Sequence, residues 1–261
     1  MIYPKEWETG SGMLPYNGKN IPLLLMATAL IPLIICGCST PGMDAYLQKD
    51  YADAKRQFRE KNDPESDFAL GVMSYKGQGV APDPAEAARW FRKAADRGHA
   101  GACYNLGLLY MKGEGVDKSN REAACWFRLA AKKGYAKAGY NLGLMYAKGD
   151  GVIKDRAEAA RWFRLAAGQG YAKARIDLAL MYLKGDGVRK NRGEAFRLMH
   201  SAATQGEGEA ELMLGLMYAR GVGVEKDRYE AEVWLKRASE HGYYGADLYL
   251  KKLGENRNAA L

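Results

Sequence analysis

Residues 102–134 read ACYNLGLLYMKGEGVDKSNREAACWFRLAAKKG, and this stretch decides the fold. Leu106, Leu109 and Tyr110 recur at the spacing of one helix face, which predicts a helix over the first third of the stretch. The segment Gly113-Glu114-Gly115 then ends that helix, because glycine adopts positive φ angles at little steric cost. The stretch therefore begins with a helix followed by a tight turn.

A second helix is predicted to begin at Ser119. Serine is a favoured N-cap residue, and Glu122 three residues later completes the pattern of a capping box. Ala123, Phe127 and Ala130 follow at helical spacing, so that small Ala lets two helices approach while Phe fills the space between them. The whole stretch predicts an antiparallel helix hairpin.

The hairpin pattern recurs every 36 residues between residues 64 and 243. The Gly-x-Gly-Val turn begins at Gly77, Gly113, Gly149, Gly185 and Gly221. The capping pairs are Asp83/Glu86, Ser119/Glu122, Asp155/Glu158, Asn191/Glu194 and Asp227/Glu230. A period of this length indicates stacked units, so we predict an all-α fold, a right-handed α-solenoid of antiparallel helix pairs.

Composition sets broad limits on the kind of protein. Of the 261 residues, 48% are hydrophobic and 27% are charged, which is typical of a folded chain and excludes a disordered one. Four Cys are too few for a disulfide scaffold of this length. The net charge of +8 favours an anionic partner or surface.

The N-terminus has the features of a targeting segment. Residues 21–35 form an uncharged apolar run of 15 residues, shorter than a membrane-spanning helix and preceded by Lys19. The following Gly37-Cys38 resembles the site at which bacterial lipoproteins are cleaved and lipidated, and Ser39 resembles an outer-membrane sorting signal. An uncleaved signal anchor is the alternative interpretation. Two or more acyl chains on Cys38 would give stable membrane attachment.

These features divide the chain into five segments. We predict a lipoprotein signal segment at 1–37 (with Met13 as the better start), a lipid-anchored tether at 38–43, an N-terminal capping helix hairpin at 44–63, five repeats at 64–243, and a C-terminal capping helix with a tail at 244–261.

The repeated units resemble Sel-1-like repeats, which are relatives of tetratricopeptide repeats. The quoted stretch carries nearly the whole family pattern, and the resemblance covers residues 64–243. It implies an α-solenoid with a concave groove that serves as a non-enzymatic scaffold or adaptor without a cofactor. The expected partner is a protein or peptide.

By analogy with tetratricopeptide arrays, one face of each first helix should line the groove. We call the seven residues on this face the first-helix strip: Tyr104, Leu108, Met111, Tyr140, Leu144, Ile176 and Leu180. An exposed apolar strip normally marks a binding site. Alternatively, tight superhelical curvature closes the groove and the strip is core.

Basic residues recur in two rows at the period of the repeat. The first row precedes the glycine turns and comprises Lys112, Lys148, Lys184 and Arg220; the second row lies on the second helices and comprises Arg92, Arg128 and Arg164. The structural interpretation is a set of helix-dipole contacts for the first row and a solvated helix face for the second. The functional interpretation is a ladder of positive charge for an anionic lipid or polymer or an acidic protein.

The sequence contains no motif for catalysis or for a metal site. His99, His200 and His241 lie far from one another in the sequence, and no group of His and Cys residues has the spacing of a metal site. Cys103 and Cys125 are predicted to stay as free thiols, because the hairpin does not bring them opposite each other. A cysteine-rich branch of the family has been linked to β-lactam hydrolysis, and Cys103 resembles one of its positions, but Ala95 occupies the partner place.

The sequence therefore predicts a non-enzymatic adaptor at the bacterial cell envelope, anchored through Cys38 and facing the periplasm from the outer membrane. A protein partner is expected and nucleic acid is not. The competing functions are a β-lactam or cell-wall amide hydrolase and a cytosolic regulatory scaffold.

Overall fold

The computed structural model describes residues 40–243 and 245–258, with side chains as far as residue 254. This part of the chain forms thirteen helices and no strand. The first helices of the five repeats are α3 (Pro64–Lys76), α5 (Ala100–Lys112), α7 (Ala136–Lys148), α9 (Ala172–Lys184) and α11 (Gly208–Arg220). The second helices are α4 (Pro84–Asp96), α6 (Asn120–Lys132), α8 (Arg156–Gly168), α10 (Arg192–Ala203) and α12 (Arg228–Glu240).

Three further helices flank the repeats: α1 (Pro41–Leu47), α2 (Tyr51–Lys61) and α13 (Gly245–Asn258). Helix α1 begins three residues earlier than the predicted N-terminal hairpin, because Pro41 occupies its first turn, where a missing N–H is tolerated. The extensive helix contacts all join consecutive helices along the chain, in hairpins and between hairpins. This arrangement is the all-α solenoid that the 36-residue period predicts.

Each first helix ends at the first glycine of the Gly-x-Gly-Val turn. Gly113 has φ +77°, and its N–H donates to the carbonyl of Leu109 at 2.8 Å. A residue with a Cβ would be strained in this left-handed conformation. The same C-cap conformation recurs at Gly77, Gly149, Gly185 and Gly221.

The second glycine of the turn joins neighbouring repeats. Gly115 also has a positive φ, and a Cβ there would lie 2.2 Å from the backbone carbon of Pro84 at the start of α4. Only a residue without a side chain allows the turn of one repeat to rest on the second helix of the preceding repeat. The motif therefore ends a helix and also permits the stacking of repeats.

The predicted N-caps of the second helices are confirmed in all five repeats. Ser119 Oγ accepts a hydrogen bond from the N–H of Glu122 at 3.2 Å, and the equivalent bond is made to Asp83, Asp155, Asn191 and Asp227. The backbone N–H of Ser119, however, donates to the carbonyl of Tyr110 at 2.9 Å instead of to Glu122. The interpretation as a reciprocal capping box is therefore wrong, since the hairpin itself satisfies the N-cap N–H.

Aromatic side chains fill the space inside the hairpins. Phe91, Phe127 and Phe163 are fully buried, and each ring lies against the glycine of a Leu-Gly pair in the first helix. A Cβ on Gly107 would lie 2.7 Å from Phe127, which is closer than two carbons approach in a packed core. In the fourth repeat Ala179 replaces the glycine and Met199 replaces the phenylalanine, whereas the fifth repeat keeps the glycine as Gly215 and places Leu235 against it.

The first and fifth repeats have a fully buried carboxylate at a repeat position where the three central repeats have no acid. Asp67 accepts from Lys93 Nζ and Arg97 Nη1, both at 2.9 Å, inside the first repeat. In the fifth repeat Glu211, which has no exposed surface, lies 3.3 Å from Arg237 and 2.7 Å from His241. Cys103, Gly139 and Arg175 hold the same place in the repeats between them.

Candidate functional site

The first-helix strip is only partly open. Tyr104, Leu108 and Ile176 are buried, whereas Met111, Tyr140, Leu144 and Leu180 are half-buried. The ring of Tyr104 lies 4.7 Å from that of Tyr135 and 5.7 Å from that of Phe127. Of the two interpretations of the strip, the one that makes it core applies to Tyr104, Leu108 and Ile176, which belong to the packing between helices.

Tyr140 is the residue of the strip that hydrogen-bonds to a carboxylate. Its ring packs 5.6 Å from Phe163 and 5.1 Å from Tyr171, and its hydroxyl donates a hydrogen bond to the carboxylate of Asp177. Tyr140 belongs to the third repeat and Asp177 to the fourth. The bond therefore couples the first helices of two neighbouring repeats.

Burial makes Asp177 an unusual acid. The pKa of Asp177 is raised to about 6. Loss of hydration is the main cause and the charge of Glu209 adds to it, whereas the hydrogen bond from Tyr140 and the charge of Lys173 lower the pKa. Burial also raises the pKa of Glu209, to which the charge of Glu207 adds. The pKa of Tyr171 is raised as well, by burial first and then by Glu207 and Asp177.

We call Tyr140, Tyr171, Asp177 and Glu209 the acidic–aromatic cluster. It combines aromatic rings with two carboxylates whose hydration is incomplete, an arrangement that suits a positively charged or hydrogen-bond-donating group from outside. Tyr140 was predicted from the sequence, but Asp177 and Glu209 were not, because the strip was defined by its apolar pattern. One feature of the sequence could have indicated Asp177: it stands at the repeat position that Asn105 and Asn141 occupy in the two preceding repeats.

The second basic row has a structural role. Arg128 Nη2 donates to the hydroxyl of Tyr146 at 2.8 Å, and Arg164 Nη2 donates to that of Tyr182 at 3.1 Å. Arg92 makes the equivalent bond to Tyr110. Each arginine thus ties a second helix to the first helix of the next repeat. Arg92 and Arg164 are exposed and Arg128 is half-buried, so the row faces solvent while it makes these bonds.

The first basic row occupies the C-terminal residues of the first helices, where a cation stabilises the helix through its dipole. Lys112, Lys148, Lys184 and Arg220 each immediately precede a C-cap glycine. Lys112 Nζ also lies 3.5 Å from Glu114, and the guanidinium of Arg220 lies 6.0 Å from the ring centre of Tyr249.

Cys103 and Cys125 are both free, as predicted. Cys103 is buried, and its Sγ lies 4.0 Å from the carbonyl oxygen of Ala95, the residue that stands in the partner place of the cysteine-rich branch. Burial raises the pKa of the Cys103 thiol. This repeat therefore holds a packed thiol where the cysteine-rich branch would place a disulfide.

His99 has a defined structural role at a helix N-terminus. His99 Nδ1 accepts from the N–H of Ala102 at 3.0 Å as the N-cap of α5, and its ring stacks on Phe68. Burial lowers the pKa of His99, which favours the neutral ring that this cap requires. Within the described residues, no group of three potential metal ligands lies together.

Comparison with known protein families agrees with the helix pairs described above. The Sel1 repeat family model matches five consecutive segments: residues 64–99, 100–135, 136–171, 172–207 and 208–243. These segments cover well over half of the chain. The chain belongs to the Sel1 repeat family. Each matched segment contains one first helix and one second helix of the solenoid.

Two solved Sel1-repeat structures resemble the chain closely. A Sel1 repeat protein from Oxalobacter formigenes is 35% identical, with a TM-score of 0.73, over 77% of this chain and 84% of that one. The protective antigen c5321 of uropathogenic Escherichia coli strains is 32% identical, with a TM-score of 0.79, over 89% of this chain. The match spans 52% of c5321, so that protein is considerably longer. No curated protein matches the chain.

The predicted lipidation residue Cys38 lies outside the described residues, as does the whole signal segment. Among the helices that the structure describes, none is long and apolar enough to cross a membrane.

Proposed function

We propose that this Sel1-repeat protein is a non-enzymatic scaffold that binds a protein partner through the first-helix strip, at the acidic–aromatic cluster. The observation that carries the proposal is Asp177. Its carboxylate is half-buried and accepts a hydrogen bond from Tyr140, and it forms no salt bridge with the described residues. A lysine or arginine of a partner would supply the missing charge.

The surroundings of Asp177 support this mode of binding. Tyr140 and Tyr171 are half-buried, so their rings offer apolar surface beside the carboxylate. Leu144 and Leu180, also half-buried, continue the strip on the same first helices. A partner segment with one basic residue flanked by apolar residues would match this surface in both charge and polarity.

The experiment compares retention of envelope proteins by immobilised variants of equal charge. Asp177→Asn combined with Glu209→Gln removes both acids of the cluster and should abolish retention of the partner. Glu225→Gln combined with Asp117→Asn makes the same charge change at exposed turn residues away from the strip and should retain it. Equal retention by both double variants would refute the proposed surface.

We further propose that the protein works at the bacterial cell envelope, attached to the periplasmic side of the outer membrane through a lipid on Cys38. The apolar run that precedes Gly37-Cys38 supports this location. Palmitate labelling should mark the wild type, and Cys38→Ala should abolish labelling and release the protein from membranes. Membrane retention of Cys38→Ala with normal processing would contradict the anchor.

A further inference from the structure

A basic cleft lies between the third and fourth repeats, and none of the strip residues lines it. The cleft has a volume of about 960 Å³ and is open to solvent. Its polar lining consists of Arg164, Tyr182, Arg189, Lys190, Asn191 and Arg192. Four of these six side chains are cations and none is an acid.

One wall of the cleft is fixed by a hydrogen bond. Arg164 Nη2 donates to the hydroxyl of Tyr182 at 3.1 Å, which orients the guanidinium between the two repeats. The other N–H groups of Arg164 remain available, since one bond uses only one of the five donors of a guanidinium. Arg128 and Tyr146 form the same pair one repeat earlier, so this wall is a standard part of the solenoid.

The opposite wall is specific to the fourth repeat. The turn at residues 189–192 carries a net charge of +3, whereas the equivalent turns at 81–84, 117–120, 153–156 and 225–228 carry −1, 0, +1 and 0. Two replacements cause most of this difference. Arg189 stands where other repeats have Ala81, Asp117, Ile153 or Glu225, and the neutral N-cap Asn191 stands where three repeats have Asp.

The positive charge of the cleft is not neutralised from within. In the part of the chain that the structure describes, no carboxylate forms an ion pair with Arg164, Arg189, Lys190 or Arg192. Asp186 is the acidic residue of the adjoining glycine turn, and it pairs with Arg156 at 3.5 Å. Four like charges around one cleft repel one another, and a bound anion would remove that repulsion.

We propose that this cleft binds a ligand carrying two or three neighbouring phosphate groups. The planar fork of arginine matches phosphate oxygens in a bidentate manner, and three arginines with one lysine can hold more than one such group. The volume falls within the range of small-molecule sites. The groups could belong to a soluble polyphosphate or to the headgroups of anionic lipids, which share this chemistry.

The test exchanges residues between the repeats. Arg189→Asp with Asn191→Asp gives the fourth turn residues that other turns already hold, and both replacements lie on exposed positions. Ile153→Asp with Lys154→Asp lowers the charge of the third turn by the same three units and serves as the control. Tripolyphosphate binding is measured by calorimetry from about 50 to about 500 mM salt. Flotation with phosphatidylcholine vesicles, with and without phosphatidylglycerol, tests the lipid source.

We expect the wild type and the third-turn control to bind tripolyphosphate, with an affinity that falls as salt rises, and the fourth-turn variant to bind at least tenfold more weakly. If the wild type and the control bind only phosphatidylglycerol vesicles, and the fourth-turn variant binds them more weakly, the phosphate groups belong to lipid headgroups. The proposal is overturned if neither probe binds the wild type, or if the control loses as much affinity as the fourth-turn variant. Arg192→Asn, the residue at the equivalent position 120, gives a second variant should the first fail to fold.

Discussion

At the scale of single residues, Gly107 and Phe127 show how the two helices of a hairpin pack closely against each other. The ring occupies the space in which a Cβ at position 107 would lie. The fourth repeat accommodates a Cβ at Ala179 because the flexible Met199 takes the place of the ring. The two positions therefore behave as one packing unit.

This unit gives a prediction for a double-mutant cycle. Gly107→Ala should destabilise the protein by about 1–3 kcal/mol, because the added methyl group overpacks the hairpin against Phe127. Gly107→Ala with Phe127→Met, which copies the fourth repeat, should lose less than the sum of the two single variants. Urea unfolding of the four proteins measures the coupling. Strictly additive effects would show that the two residues do not share this space.

Asp177 gives a prediction about pH. Its pKa rises from 3.8 in the unfolded chain to about 6 in the fold, so the folded state holds its proton more tightly. The resulting stability is fully present below pH 3.8 and is lost as pH rises through about 6. Asp177→Asn has no such proton, so its stability relative to the wild type should improve over this range. A difference that stays constant with pH would contradict the burial of this carboxylate.

The burial of the strip residues could be predicted only in part from the sequence. The apolar pattern located Tyr140 on a helix face, because periodicity reports which residues share a face. The same pattern could not show that Tyr104 and Ile176 are buried while Tyr140 and Leu144 keep some exposure. Burial at these positions depends on the curvature of the stack and on the neighbouring rings of Tyr135 and Tyr171, which single helices do not encode.

At the scale of elements, helix ends were the most predictable feature. The five N-caps and five C-cap glycines lie where the sequence places them, since capping depends on a few adjacent residues. The predicted hydrogen bond between the Glu122 side chain and the N–H of Ser119 is absent, and the reason lies outside helix α6. The N–H of Ser119 reaches the carbonyl of Tyr110 on the partner helix, and this contact exists only after the hairpin has closed.

This correction predicts an order of effects at the start of α6. Ser119→Ala should destabilise the protein by about 1 kcal/mol, because the N–H of Glu122 loses its acceptor. Glu122→Ala should have a smaller effect, because it leaves the cap intact and removes only a charge near the helix N-terminus. Thermal melts of the two variants provide the comparison. A larger loss for Glu122→Ala would restore the reciprocal capping box.

At the scale of the whole molecule, the extensive contacts of the described residues join consecutive helices, and α2 and α13 pack against the first and the last repeat. The buried carboxylates Asp67 and Glu211 lie in the first and the last repeat, and each contacts one basic residue of the second helix and the C-cap residue that follows that helix. Such pairs fix the geometry of the terminal hairpins. The sequence contains the charges, but their burial follows from the position of each repeat in the stack.

The fifth repeat should therefore be sensitive to loss of its acid. Glu211→Ala should destabilise it by about 1–3 kcal/mol, less than a fully buried pair would lose, because Arg237 and His241 are 43% and 47% exposed and can regain water. Hydrogen exchange should show faster opening of α11 and α12 and little change in α5 and α6. Uniform loss of protection across all repeats would contradict a local effect.

If a partner protein binds at the acidic–aromatic cluster, a photoreactive amino acid beside the cluster should crosslink to that partner inside the cell. A photoreactive amino acid is placed at Lys173, which is exposed and lies close enough to Asp177 and Glu209 to influence both charges. A matched probe is placed at Ile153, which is 90% exposed in a turn. We expect one protein adduct at position 173 and none at position 153. The adduct at position 173 should be lost when Asp177→Asn and Glu209→Gln are added. An adduct at position 173 that survives the removal of both acids would contradict binding at the acidic–aromatic cluster.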